Sequence, residues 1–195
     1  MSLSLLYFAS SKKHKIMKRL LAINTKEDIP EEYRGTPIGK LLEYHNLDRP
    51  QTPYEKAELL VGMCMDNRKH LHMPDNFAFI IRTGGANMRY SEFKVSFAIA
   101  IGHVKHMALI GHTQCGMVNL ISRKQEFING LVETAGWDRT SAEEHFERFA
   151  PMFEIGNETD FILSETKRLR LRYPHIQIAP MIYLVEDNKL YLIKE

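Results

Sequence analysis

The stretch Met107-Ala108-Leu109-Ile110-Gly111-His112-Thr113-Gln114-Cys115-Gly116 decides the fold. Four apolar residues in a row read as a buried strand, and the run stops at Gly111 and His112, where polar residues and a second glycine turn the chain. Upstream, Ser91 to Ile101 has helical spacing, and Phe77 to Ile81 forms another short apolar run that ends at Thr83, Gly84 and Gly85. Earlier still, Ala57 to Met65 is a largely apolar run that breaks into Asp66, Asn67 and Arg68. Strand, polar turn and helix repeated in this order predict an α/β fold: a mainly parallel central sheet with flanking helices.

Outward from this centre the same reading continues. Pro37 can open a helix over about 37 to 48, with Ile38, Leu41 and Leu42 on its apolar stripe, packed on its own core or on a second subunit. The segment 121–150 is polar and helical, with a break near Trp137 and Asp138, a helix start at Ser141 ahead of Glu143 and Glu144, and an end at Pro151. Asp160 to Arg172 reads as a further helix. Ile176 to Leu184 and Leu190 to Ile193 read as strands joined by a turn at Asp187 and Asn188. No repeat or second domain interrupts this pattern, so we divide the chain into an N-terminal extension and arm, 1–36, and one α/β domain, 37–195. Within the extension, residues 1 to about 17 form a mixed basic leader, and Met17 offers an alternative start.

The 195 residues carry 26 basic and 24 acidic side chains, a balance too even to imply a nucleic-acid partner. One basic cluster, Lys12, Lys13, His14, Lys15, Lys18 and Arg19, reads as a solvated extension. A second, Lys167, Arg168, Arg170 and Arg172, reads as the wet face of a helix, without the interleaved aromatics that stack on bases. No apolar run approaches the roughly 20 residues that span a bilayer. The opening Leu3, Leu5, Leu6, Tyr7 and Phe8 are too few for a signal core and precede the positive charges. The two cysteines both lie beside other metal-binding residue types, which fits a reducing, cytoplasmic setting better than a disulfide.

Those residue types are Cys64, Asp66 and Arg68 in one place and His112 and Cys115 in another. Extended chain sends alternate side chains to one side, so the first three can converge where a strand runs into a loop. The two residues between His112 and Cys115 let both side chains bend toward one ion. Two thiolates and an imidazole suit a borderline-soft, tetrahedral ion, so Zn²⁺ is expected over magnesium or calcium. Three protein ligands leave a fourth position open, the mark of a catalytic rather than a structural site. Asp66 could orient a water there, accept its proton, or occupy the position itself, and the fork of Arg68 could clamp Asp66 away from the metal. His103 and His106 precede their strand, at the far end from His112, and are not expected as ligands. His70 and His72 read as ordinary exposed residues, and Met63, Met65, Met73, Met88 and Met117 as packing.

Three segments carry a family resemblance: Cys64-Met65-Asp66-Asn67-Arg68, Ile81-Arg82-Thr83-Gly84-Gly85, and Gly111-His112-Thr113-Gln114-Cys115-Gly116. They resemble the signature stretches of the β-class carbonic anhydrases, strongly over residues 57 to 120 and weakly over 160 to 192. The resemblance implies zinc held by Cys64, His112 and Cys115, Asp66 with Arg68 as the catalytic pair, and carbon dioxide and bicarbonate as substrate and product. It also implies four parallel strands with an added antiparallel one, a homodimer or higher homo-oligomer, and an N-terminal helical arm that embraces the partner. One departure concerns the loop after the second strand. Family members commonly have Arg-Asn-Ala-Gly-Asn, where this chain has Arg82-Thr83-Gly84-Gly85-Ala86-Asn87. Backbone amides at Gly84 and Gly85 could approach a substrate closely there, since no side chain blocks them. Two other functions remain open: hydrolysis of carbonyl sulfide or carbon disulfide at the same centre, and a zinc-stabilised interaction protein whose metal is closed by Asp66.

Overall fold

A computed structural model describes residues 18–195. The apolar run Leu3 to Phe8, the basic residues Lys12, Lys13, His14 and Lys15, and Met17 lie outside the described residues. Six strands form one sheet in the order β1-β6-β5-β4-β2-β3. These are β1 (Leu20–Leu21), β2 (Leu59–Cys64), β3 (Ala78–Thr83), β4 (His106–His112), β5 (Gln177–Leu184) and β6 (Lys189–Ile193). β3, β2, β4 and β5 run parallel, and β6 and then β1 are added antiparallel. Among the described residues five helices accompany them: α1 (Pro37–Asn46), α2 (Glu92–Ala100), α3 (Lys124–Ala135), α4 (Arg139–Phe153) and α5 (Glu158–Arg172). The expected α/β architecture is therefore present, and β1 is a small addition to it.

Both faces of β2, β4 and β5 are covered, which is why their sequences read as continuous apolar runs rather than as alternation, whereas β3 at the edge is partly exposed. The two-residue period still sorts the side chains. Leu59, Val61 and Met63 of β2 pack under α1 on one face, whereas Leu60 joins Leu109 and Ile182 under α2 and α5 on the other. The first core also takes in Ile23, Ile29 and Tyr33, so packing runs continuously across residues 36 and 37. α1 begins at Pro37 behind Thr36, whose hydroxyl accepts from the Gly39 amide, and it buries Ile38, Leu41, Leu42 and Tyr44 against its own sheet. Gly39 is required by close approach: a Cβ there would meet the Tyr33 carbonyl oxygen at 2.2 Å. At the far end of the helix Asn46 donates to the carbonyls of Ile23 and Leu190 and accepts from the Leu190 amide, tying α1 to β6.

Three details differ from the sequence expectation. α4 starts at Arg139, not Ser141, because Asp138 is its N-cap, the carboxylate accepting from the Ser141 amide at 3.0 Å. The same helix passes through Pro151 and ends at Phe153. So near the end, the missing N–H removes one backbone bond and the remaining turn still packs. The arginines of α5 are not simply solvated: Arg168 pairs with Glu165 and Glu92, Arg172 with Glu92, and Arg170 with Glu195 and the Ile178 carbonyl. Among the described residues, no helix is long and apolar enough to cross a membrane.

Candidate metal centre

The chain leaves β2 for β3 on one side and returns as β4 on the other, so the strand order reverses between β2 and β4. Ligands of open α/β sheets bind at such a switch point, outside the carboxyl ends of the strands. Cys64 is the last residue of β2 and His112 the last of β4. Gln114 follows with φ 58°, a left-handed conformation that turns the chain sharply and returns Cys115 to the same spot. Cys64, His112 and Cys115 are all buried, and their ligand atoms lie within 4.8 Å of one another.

The protonation of His112 follows from its neighbours. Nδ1 lies 2.8 Å from the Thr113 carbonyl, which can only accept, so Nδ1 carries the proton. Nε2 is left with a bare lone pair, buried and without a hydrogen-bond partner among the described residues. It faces two sulfurs that are 3.9 Å apart. The Cys115 thiol bonds the Cys64 sulfur and holds the Cys64 pKa well below the ordinary thiol range, with burial opposing. The same bond, together with burial, holds Cys115 above that range. A proton shared between two sulfurs next to an orphaned imidazole nitrogen is a place for a cation. Two sulfurs and one nitrogen in a compact triangle fit zinc.

Asp66 lies beside this triangle, its Oδ2 3.8 Å from His112 Nε2. Arg68 grips it with Nε to Oδ1 at 3.0 Å, a terminal nitrogen to Oδ2 at 2.7 Å, and its own amide to Oδ1 at 2.9 Å. These bonds, chiefly those of the guanidinium, push the Asp66 pKa far below the usual carboxylate range. Arg68 is fixed in turn by the side chain and carbonyl of Gln114, and Gln114 and Thr113 are tied to Glu186. Arg82 reaches across from β3 to the carbonyls of Asp66 and Lys69 and pins the loop between them. Gly84 and Gly85 form a buried turn against Met117, Phe153 and Ile155, and Gly85 has φ 64°. Among the methionines, Met63 and Met88 are core residues, whereas Met65 is exposed.

A cleft of about 940 Å³ lies between the β3 turn and the α3–α4 pair, and Met65 and Gly116, the chain neighbours of Cys64 and Cys115, are among its lining. Its lining includes Met65, Gly84, Met117, Phe127, Phe149 and Phe153, so the long segment after Gly116 forms a mostly apolar wall. His106 stands at the opposite end of β4, away from the centre, as its sequence position implies. His72 donates its amide to His45 Nδ1 and takes no part in the triangle. Sequence reading missed Lys69, which is fully buried beside the motif. A lysine in a polar loop carries no local sign of burial.

No protein-family model and no curated protein matches this sequence. Solved structures do resemble it. A carbonic anhydrase from Glaciozyma antarctica aligns with TM-score 0.56 at 20% identity, over 73% of this chain and 84% of its own. A β-carbonic anhydrase from Trichomonas vaginalis aligns with TM-score 0.56 at 16% identity, over 76% and 90%. A carbonic anhydrase from Streptococcus mutans aligns with TM-score 0.53 at 18% identity, over 76% and 89%. The chain has the β-carbonic-anhydrase fold, and at the carboxyl end of its sheet it carries a Cys-His-Cys triangle suited to zinc.

Proposed function

We propose that this protein is a zinc lyase that interconverts carbon dioxide with bicarbonate and a proton. The observation that carries the reading is the convergence of Cys64, His112 and Cys115 within 4.8 Å, next to an aspartate held by its own arginine. Zinc bound there supplies a Lewis-acidic centre that makes water a competent nucleophile near neutral pH. His112 presents Nε2 because its other nitrogen is committed to Thr113. Asp66 is the acceptor for a proton or hydrogen bond next to the reacting atoms. Arg68 keeps that carboxylate ionised and would hold it off a metal bound by the three ligands. Gly84 and Gly85 shape the substrate side of the cleft. This arrangement speaks against a purely structural metal site, which has no need of such a clamp.

The edge strand β3 exposes Phe79 and Ile80, and α2 with the residue that follows it exposes Phe93, Phe97 and Ile101, which supports a homodimer built on that face. Two free, buried thiols support a cytoplasmic, reducing setting. The apolar wall of the cleft favours a second reading, in which the same centre hydrolyses carbonyl sulfide or carbon disulfide. Stopped-flow hydration of carbon dioxide by zinc-loaded protein over pH 6.5 to 9, with both sulfur substrates assayed in parallel, separates the two. We expect fast hydration that rises toward alkaline pH. Hydration no faster than buffer at every pH would overturn the leading reading, and turnover of a sulfur substrate alone would establish the second. Arg68→Ala is expected to lower kcat on the order of 100-fold by freeing Asp66, and an unchanged rate and pH profile would remove the clamp from the mechanism.

A further inference from the structure

Arg68 and Lys69 are adjacent cations that the fold treats in opposite ways. Arg68 is 40% exposed at its side chain and spends its guanidinium on Asp66 and Gln114. Lys69 is 0% exposed, and its Nζ has no hydrogen-bond partner among the described residues. Leaving a charge-bearing group buried without a bond is costly, and replacing it with an apolar side chain of similar shape would usually stabilise a protein. Burial lowers the pKa of this amine; the groups that act against that lowering are Cys64, Asp66 and Cys115, each of which belongs to the centre, and Arg82 adds to it. The loop carrying it is fixed by Arg82, which bonds the Lys69 carbonyl at 3.2 Å.

We infer that Lys69 is a positioning residue of the metal centre, whose buried charge makes the centre a receptor for small anions such as bicarbonate. The inference rests on the zinc reading above. Zinc with two thiolates would be neutral, and Asp66 with Arg68 is a neutral pair, so among the described residues of the centre Lys69 is left as a buried cation with no hydrogen-bond partner. Glu158, which accepts from the Cys115 amide, Glu186 and Arg82 stand at the border, where solvent screens them. An ammonium that cannot reach solvent acts through a low-dielectric medium on whatever anion enters. Lys69 need not touch that anion. It sets the potential in which the anion binds.

The test uses protein loaded with Co²⁺ in place of zinc, titrated with azide and with bicarbonate and followed by its visible absorption. Lys69→Met is expected to bind both anions on the order of tenfold more weakly at unchanged metal stoichiometry, while Lys69→Arg stays within about threefold of the parent. The Co²⁺-loaded Lys69→Met protein is expected to melt at a higher temperature than the Co²⁺-loaded parent, as relief of a buried unpaired charge requires. A merely structural lysine would give the opposite, a lower melting temperature. Lys69→Gln serves as a second charge-free variant if the methionine protein does not fold. Unchanged anion affinity in the charge-free variants, or equal loss in the arginine variant, would overturn the inference while the zinc reading stands. Absence of sulfur-to-cobalt charge-transfer absorption in the parent would overturn the zinc reading and this inference with it.

Discussion

His112 at the end of β4 and His45 on α1 are both buried imidazoles, and each leaves Nε2 without a hydrogen-bond partner among the described residues. Their surroundings differ in one bond. His112 Nδ1 meets a carbonyl, so it donates and Nε2 stays bare. His45 Nδ1 meets the His72 amide at 3.1 Å, so it accepts and Nε2 carries the proton. The first ring is therefore set up as a metal ligand. The second sits among aromatic groups, with Tyr183 at 5.6 Å and His72 at 5.5 Å between ring centres, and has no lone pair to offer at Nε2. A single backbone group on the far side of the ring decides whether a buried histidine belongs to chemistry or to packing.

The largest effect should come from the metal side of this comparison. Cys115→Ser replaces a soft donor with a poor one, and metal analysis after dialysis should find the zinc lost, with hydration falling at least about 1,000-fold. His45→Asn should retain zinc in full. If it also lost zinc, the two pockets would not be independent.

The His45 pocket should instead reveal itself in acid. Burial, reinforced by His72, lowers the His45 pKa to about 4, whereas the unfolded chain takes up this proton near pH 6.5. The unfolded state therefore binds the proton first as pH falls. Stability from this residue is full above about pH 6.5 and declines to about pH 4, a total on the order of 3 kcal/mol. Urea denaturation of metal-free protein across this window should show the decline in the parent. His45→Asn, which keeps an acceptor for the His72 amide but cannot be protonated, should show a slope smaller by that amount.

A smaller loss is expected one residue along. Asn46→Ala strands the Leu190 amide and two carbonyls and should cost about 2 kcal/mol with zinc content and rate unchanged. A change in turnover would mean that α1 reaches the centre after all.

Strands β2, β4 and β5 were legible because two-sided burial gives uninterrupted apolar runs, and Cys64, His112 and Cys115 because their side-chain types fit one ion. What escaped depends on contacts distant in sequence. Leu20 and Leu21 are too short a run to announce a strand and become one only because β6 offers an edge. The cap at Asp138 was hidden by an equally plausible serine three residues on. Lys69 looks like any loop lysine until Arg82, from another strand, draws its backbone under the sheet end. The tautomer of His112 was invisible too, since it depends on the local path of Thr113.

The anchorage of α1 has a consequence for the order of events during synthesis. Asn46 finds its partners only when Leu190 exists, and β1 can pair only once the chain has been made as far as Leu192 and Ile193. Until then β5 presents an open edge, and the residues from Leu20 to Tyr33 have lost part of the surface they will cover. Such long-range closure slows folding and leaves the nascent sheet exposed to pairing with other chains. The ribosome-bound intermediate, rather than the finished protein, is where this molecule is most in need of protection.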